Sequence, residues 1–207
     1  MGKNRVILII IIIIKASGAL FKGGEVLERL ILKRIGLEYI DELLSMQLEI
    51  YHQLEDKDIF VMDTEDEMRR GLKEGGYVIG VFNEANQLVG YRYASYPRQE
   101  ERNLGRDIGL VDDELDSVLQ LETTIVKPEY RGSKLQRKTF NSLMDYLSKD
   151  EDKEAKYLVC TISPFNLPSL KNMLKCGFEI KKLEYKYPTS ENPKGILRYI
   201  LLKVINN

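Results

Sequence analysis

From residue 26 onward, the apolar positions of this chain switch between a period of two and a period near 3.6, which separates strands from helices. Residues 26–35 are mostly aliphatic and read as a strand ended by Gly36. Leu37, Ile40, Leu44, Leu48 and Tyr51 then recur at helical spacing. After a polar stretch, Thr64-Glu65-Asp66-Glu67 has the spacing of a capping box, which predicts a helix to about Glu74, stopped by Gly75-Gly76. Residues 77–82 and 87–96 are apolar and aromatic-rich around Asn83-Glu84-Ala85-Asn86, a hairpin signal. Residues 98–116 are charged, carry Gly105 and Gly109, and read as a long surface loop.

In the second half, residues 118–126 form a strand ended by Pro128, and 133–148 a helix with Phe140, Leu143, Met144 and Leu147 on its core face. Residues 157–162 read as a strand buried on both faces. Residues 166–175 form a short helix with Asn166 as N-cap and Phe165 and Leu170 at the positions of a hydrophobic staple. Residues 178–187 and 196–204 supply two last strands. The expected order is β-α-α-β-β-β-α-β-α-β-β, an α/β fold with mixed layers in one domain over 25–207.

The first 24 residues differ from the rest. Val6 to Ile14 are consecutive aliphatics, unbroken isoleucine from Ile9 on. With Lys3 and Arg5 before it and Ala16-Ser17-Gly18-Ala19 after it, the run copies the layout of a signal segment. Ile is stiff at χ1 and favours extended backbone, so an extra N-terminal or edge strand is the favoured reading.

Composition narrows the function classes. The 207 residues carry 31 Lys and Arg against 32 Asp and Glu, without the basic excess of a nucleic-acid binder. No run approaches the roughly 18 apolar residues of a membrane span, so a cytoplasmic protein is expected. Cys160 and Cys176 have neither zinc-site nor disulfide spacing, and His52 is the one histidine, so no metal is expected. Cys160 and Cys176 read as packing residues, His52 as a surface residue, and Asp112-Asp113-Glu114 as part of a solvated turn.

Candidate chemistry concentrates at Val126-Lys127-Pro128-Glu129-Tyr130-Arg131-Gly132-Ser133-Lys134-Leu135-Gln136, which joins a strand to a helix. Such a junction presents unpaired N–H groups with a helix dipole behind them, and Arg131, Lys134, Arg137 and Lys138 add positive charge. A diphosphate matches that chemistry. Ser133-x-x-Gln136 also has capping-box spacing, which is an alternative use for both residues.

Val126-x-Pro128-x-x-Arg131-Gly132 opening a helix resembles the acetyl-CoA motif of the GNAT superfamily of N-acetyltransferases. Asn166-x-x-Ser169 followed by Gly177-Phe178 is similar to that family's second motif, and the resemblance extends from about Val26 to the C-terminus. It implies a central mixed, mostly antiparallel sheet flanked by helices. It also implies that acetyl-CoA is the acyl donor, with Arg131, Gly132, Ser133, Lys134, Leu135 and Gln136 around the pyrophosphate. Val126 would meet the pantetheine arm through its backbone where two strands splay apart, and Asn166 and Ser169 would flank the cofactor.

Two positions depart from the family pattern. Lys134 and Gln136 replace small residues, so Lys134 would either crowd the pyrophosphate or bind phosphate by its charge. Met173 stands where the family often has a Tyr serving as general acid for the leaving thiolate, so either Tyr185, Tyr187 or Tyr199 substitutes or the thiolate leaves without a dedicated acid.

Glu122 is the expected catalytic base: it lies in an apolar strand four residues before Val126, which ideal alternation places on the same face. Burial there is expected to raise its pKa. The resulting expectation is direct acetyl transfer in a ternary complex to a primary amine of a small molecule or amino-acid-like acceptor, by a monomer or homodimer. A protein N-terminus or lysine as acceptor, and a non-catalytic acyl-CoA sensor with the same fold, are the alternatives.

Overall fold

In the computed structural model, which describes residues 20–22, 25–27, 29–149 and 154–205, the first apolar run is divided in two. Leu20–Lys22 (β1) and Glu25–Leu27 (β2) pair with each other, while Ile31–Ile35 (β3) joins the main sheet. The run expected to form one strand is thus split between β2 and β3. The isoleucine run lies outside the described residues.

Ile40–Gln53 (α1) and Glu65–Lys73 (α2) follow. Helix α1 begins after a single turn of tighter helix over Leu37–Tyr39, so its phase differs from the expected one. Its buried residues are Ile40, Leu43, Met46, Gln47 and Ile50, and Leu48 faces out. Helix α2 has the expected capping box: Glu67 N donates to Thr64 Oγ1 at 3.3 Å and Thr64 N to Glu67 Oε2 at 2.8 Å.

The hairpin Tyr77–Phe82 (β4) and Leu88–Ser95 (β5) leads through the long loop to Val118–Val126 (β6). Then come Leu135–Leu147 (α3), Tyr157–Ile162 (β7), Leu167–Lys175 (α4), Glu179–Lys186 (β8) and Ile196–Val204 (β9). The seven-stranded sheet has the order β3-β4-β5-β6-β7-β9-β8, antiparallel except between β6 and β7. Apart from the separate β1–β2 pair and one short helical turn over Asp113–Asp116 in the long loop, the expected element order holds.

Each face of the sheet carries its own core. Phe140, Leu143 and Leu147 of α3 and Met173 of α4 pack on Ile79, Leu119, Leu121 and Leu158. Ile40, Leu43, Met46 and Ile50 of α1 and Met68 of α2 cover Val78, Phe82, Tyr91, Tyr93 and Ile125 on the opposite face. Phe165 is 76% exposed, so the staple expected at the start of α4 is not formed.

Two irregularities in β6 position the site. Its parallel pairing with β7 runs only through Val118–Tyr157, Leu119–Leu158 and Gln120–Val159, and beyond Gln120 the two strands part. Its pairing with β5 jumps from Ala94–Leu121 to Arg92–Thr124, so Glu122 and Thr123 together oppose Tyr93 in a bulge. One extra residue inverts the alternation that follows it. Glu122 therefore lies with Ser95 on the α1–α2 face, whereas Val126 packs with Leu135 on the α3 face. Ideal alternation placed the two together; the bulge separates them.

Candidate active site

Past the end of its pairing with β7, β6 borders a cleft of about 500 Å³ walled by Thr124, Ile125, Val126, Tyr130, Ile50 and Leu54 of the α1 end, and the loop into α3. Arg131, Gly132, Lys134, Leu135, Gln136, Asn166 and Ser169 line it, so eight of the nine expected cofactor residues, counting Val126, meet there. Ser133 is not on its wall.

The loop into α3 is shaped by two left-handed residues, Gly132 at φ 81° and Lys134 at φ 59°. Alternation of this kind turns successive N–H groups toward one concave side. The N–H groups of Gly132, Ser133, Lys134, Leu135 and Gln136 find no acceptor among the described residues. They are the orphan donors of a helix start, with the positive end of the α3 dipole among them.

The Ser133–Gln136 capping box is absent. Lys134 is the N-cap and makes no side-chain cap, and the Gln136 side chain accepts from Asn172 Nδ2 at 2.6 Å instead, tying α3 to α4. The Asn166 side chain caps α4 by accepting from Ser169 N at 3.2 Å, as its position suggested. Arg131 Nε donates to Val126 O at 3.3 Å, so that carbonyl already has a partner within the protein.

A second cavity of about 250 Å³, which Cys160, Thr161 and Ile162 of β7 also line, adjoins the cleft and shares Ile59, Phe60, Thr124, Gln136, Asn166 and Ser169 with it. Glu122 lies on its wall with 11% of its side chain exposed. Instead of apolar surroundings it has a set of donors: Ser95 Oγ at 2.7 Å, Arg102 Nη1 at 2.7 Å and Gln120 Nε2 at 3.0 Å. Burial works against the Arg102 charge, but Glu122 and Glu100 outweigh it and hold that guanidinium firmly protonated. Arg102 comes from the loop over 98–116, which is bound inward through Asn103 to Arg98 O and Leu115 O and through Leu104 N to Gln120.

Glu67, Arg92 and Cys160 also line this cavity, Arg92 buried and donating to Thr139 Oγ1 at 3.4 Å and Gln136 O at 3.0 Å, and Asp63, Arg198 and Tyr187 face it as well. Asp63 has Oδ2 buried without a hydrogen-bond partner. Burial, reinforced by the Glu122 charge, pushes its pKa up to about 8, against the pull of the Thr123 hydroxyl and Arg102. Its backbone is held on both sides by buried Gln47, which accepts from Asp63 N at 2.9 Å and donates to Asp63 O at 3.2 Å. Arg198 on β9 is 3% exposed, and its Nε has no partner.

Tyr187, at φ 60°, shares a hydrogen bond of 2.8 Å with Thr161 Oγ1, and burial raises its pKa to about 12. Of the tyrosines considered as substitutes for Met173, Tyr187 lines the cavity and Tyr185 and Tyr199 do not. Met173 is buried in the core and touches the same cavity.

Sequence reasoning missed Asp63, Arg102 and Arg198. Asp63 looks like the residue before a capping box, Arg102 sits among loop charges, and Arg198 looks like the polar member of an edge-strand pattern. Cys160 is a core thiol whose pKa burial pushes up to about 12, and His52 is exposed at the end of α1. Among the described residues there is no cluster of metal-ligating side chains and no helix long and apolar enough to cross a membrane.

The fold recurs in solved structures. A GNAT-family acetyltransferase from Streptococcus pneumoniae is 15% identical, with 86% of this chain and 100% of that chain covered and a TM-score of 0.62. This chain has the GNAT fold. NAA60 of Arabidopsis thaliana in complex with acetyl-CoA (13% identity, 86% and 100% covered, TM-score 0.62) is similar to the same extent. So is ribosomal-protein-alanine N-acetyltransferase from Brucella melitensis (16% identity, 84% and 99% covered, TM-score 0.61). No family model and no curated protein matches the sequence.

Proposed function

We propose that this protein is an N-acetyltransferase that moves an acetyl group from acetyl-CoA to a primary amine of a small molecule or amino-acid-like acceptor, by direct attack in a ternary complex. The observation that carries the reading is the continuity of two spaces. A cleft edged by orphan N–H groups runs between parted strands into a cavity that holds carboxylates and a buried phenol. Structures of the same fold include one in complex with acetyl-CoA.

In this reading the N–H groups of residues 132–136 and the Arg131 and Lys134 charges bind the pyrophosphate. Beyond Gln120 the inner edge of β6 has no β7 partner, which leaves it available to the pantetheine arm. When bound, acetyl-CoA supplies an acyl group activated as a thioester. Glu122 receives a proton from the acceptor ammonium, directly or through a water, and frees the nitrogen lone pair to attack the carbonyl carbon. As the C–N bond forms and the C–S pair leaves on sulfur, Tyr187 gives its phenolic proton to the thiolate. The proton remaining on the new amide nitrogen is returned to Tyr187 through solvent. A sensor without catalysis is favoured by Met173, which is buried in the core and offers no proton, and by Lys134 in place of a small loop residue.

The test is a reaction of the protein with acetyl-CoA and an amine panel: aliphatic amines, free amino acids and a peptide with N-terminal alanine. Free CoA is read by chromatography, since the protein's own half-buried Cys176 would react with a thiol reagent. Amine-dependent CoA release is expected, and release no faster than the amine-free control for every member would refute the reading.

Two loop variants probe the pyrophosphate contacts. Arg131→Ala is expected to weaken acetyl-CoA binding about 3- to 10-fold, the effect of one exposed charged hydrogen bond, as measured by calorimetry. Lys134→Gly should raise stability by about 1 kcal/mol, because it relieves a left-handed side chain. For a domain of this size that is about 2–4 °C in Tm. Acetyl-CoA affinity should fall in the same variant, since the charge at the mouth of the cleft is lost. Tighter binding would mean that the lysine crowds the loop.

A further inference from the structure

Burying a polar or charged group without a partner costs free energy, so two such groups in one small cavity require an explanation. Asp63 Oδ2 and Arg198 Nε are both buried and unpartnered, and both side chains line the second cavity. One is a carboxyl and the other a guanidinium, yet no ion pair joins them among the described residues. Asp63 is fixed by Gln47 of α1, and Arg198 by its strand, by Tyr187 at 5.8 Å from the ring centroid and by Ile59 O at 3.5 Å. Their separation is therefore built into the fold.

Other charges do not neutralise them. Arg102 already holds Glu122 and Glu100, and Glu67 closes the α2 capping box. Around Asp63 stand Glu122, Glu67, Arg102 and the phenols Tyr91, Tyr93 and Tyr187. Arg198 feels Tyr187, Asp58 and Asp56, but none of the three forms an ion pair or hydrogen bond with it among the described residues.

We propose that the acceptor is a zwitterion of the amino-acid type, with its ammonium on Asp63 beside Glu122 and its carboxylate on Arg198. Docking such a molecule satisfies both orphan groups at once, which neither a simple amine nor a simple acid does. A guanidinium matches a carboxylate through paired N–H donors, and Asp63 presents an open oxygen to an ammonium N–H. The same placement holds the reacting nitrogen at the Glu122 end of the cavity. This inference rests on the acetyltransferase reading for the chemistry, and on the cavity alone for the binding.

The test separates the two. Individual free L-amino acids, the corresponding amino-acid amides and the corresponding decarboxylated amines are titrated into the full-length protein and followed by calorimetry and thermal shift, with and without CoA. At least one free amino acid is expected to bind about tenfold or more tighter than its amide and its amine. Arg198→Gln should erase that preference, and Asp63→Asn should weaken the free amino acid, with acetyl-CoA affinity unchanged in both.

Equal binding of acids, amides and amines, or no binding by any of them, would overturn the proposal. Should Arg198→Gln fail to fold, the comparison of free amino acid with amide on the natural protein decides alone, and Arg198→Lys serves as the milder variant. Selective binding without any acetylated product on adding acetyl-CoA would leave the zwitterion site standing and remove the acetyltransferase reading.

Discussion

Glu122→Gln is expected to lower turnover at neutral pH by about 10²- to 10⁴-fold, the range for loss of a general base, with acetyl-CoA affinity near its natural value. The amide has the size of the carboxylate and can keep the Ser95 and Gln120 contacts by rotating. Arg102 loses one anionic partner but keeps Glu100 at 2.6 Å, so no guanidinium is left unpaired. The fold should therefore survive, and the loss should appear in kcat. Single-turnover kinetics beside calorimetry separate the outcomes. Collapsed acetyl-CoA affinity with undiminished turnover per bound cofactor would assign Glu122 to structure.

Asp63→Asn is expected to lower acceptor turnover too, but with a rise in stability. The Asp63 carboxyl has a folded pKa of about 8 against an ordinary 3.8, so the folded protein binds that proton more tightly than the unfolded chain does. Stability therefore falls as pH rises from about 4 to about 8, where the folded state would hold a proton that the unfolded chain has released. Above that window the buried carboxylate is ionised at its full cost. Asn carries no such proton.

The gain at pH 8 is put at about 1–3 kcal/mol, well below the full linkage value, because a buried charge relaxes its surroundings. That corresponds to a Tm increase of several degrees. Melting curves from pH 5 to pH 9 should show a downward slope in the natural protein that is flatter in the variant. Parallel slopes would mean that Asp63 titrates normally and is no orphan. A residue that costs stability and supports function is what an active-site carboxylate looks like.

Much of the fold was readable because its signals are local. The Thr64–Glu67 capping box, the 83–86 hairpin turn and the Asn166 cap each depend on residues within a few positions of one another, and each element appears as expected. The phase of α1 departs from the apolar spacing because Leu37 lies inside the tighter turn that precedes the helix. The β6 bulge was invisible: Val118-Leu119-Gln120-Leu121-Glu122 reads as a regular strand, and the extra residue is set by how β5 lies beside it.

The same division applies to the site. The anion loop is one continuous segment, so Arg131 to Gln136 could be recognised together. Lys134 keeps the left-handed backbone of the position despite having a side chain. The second cavity is assembled from residues distant in sequence: Asp63 before α2, Arg102 in a loop, Glu122 on β6, Tyr187 after β8 and Arg198 on β9. No spacing rule joins them, and only the meeting of the strands does.

Calorimetric titration of the full-length protein with acetyl-CoA, beside adenosine nucleotides lacking the pantetheine arm, tests the central claim most directly. The account predicts micromolar binding that requires the arm, because orphan N–H groups and parted strands are both used. Absence of binding, or equal affinity for the plain nucleotide, would contradict it.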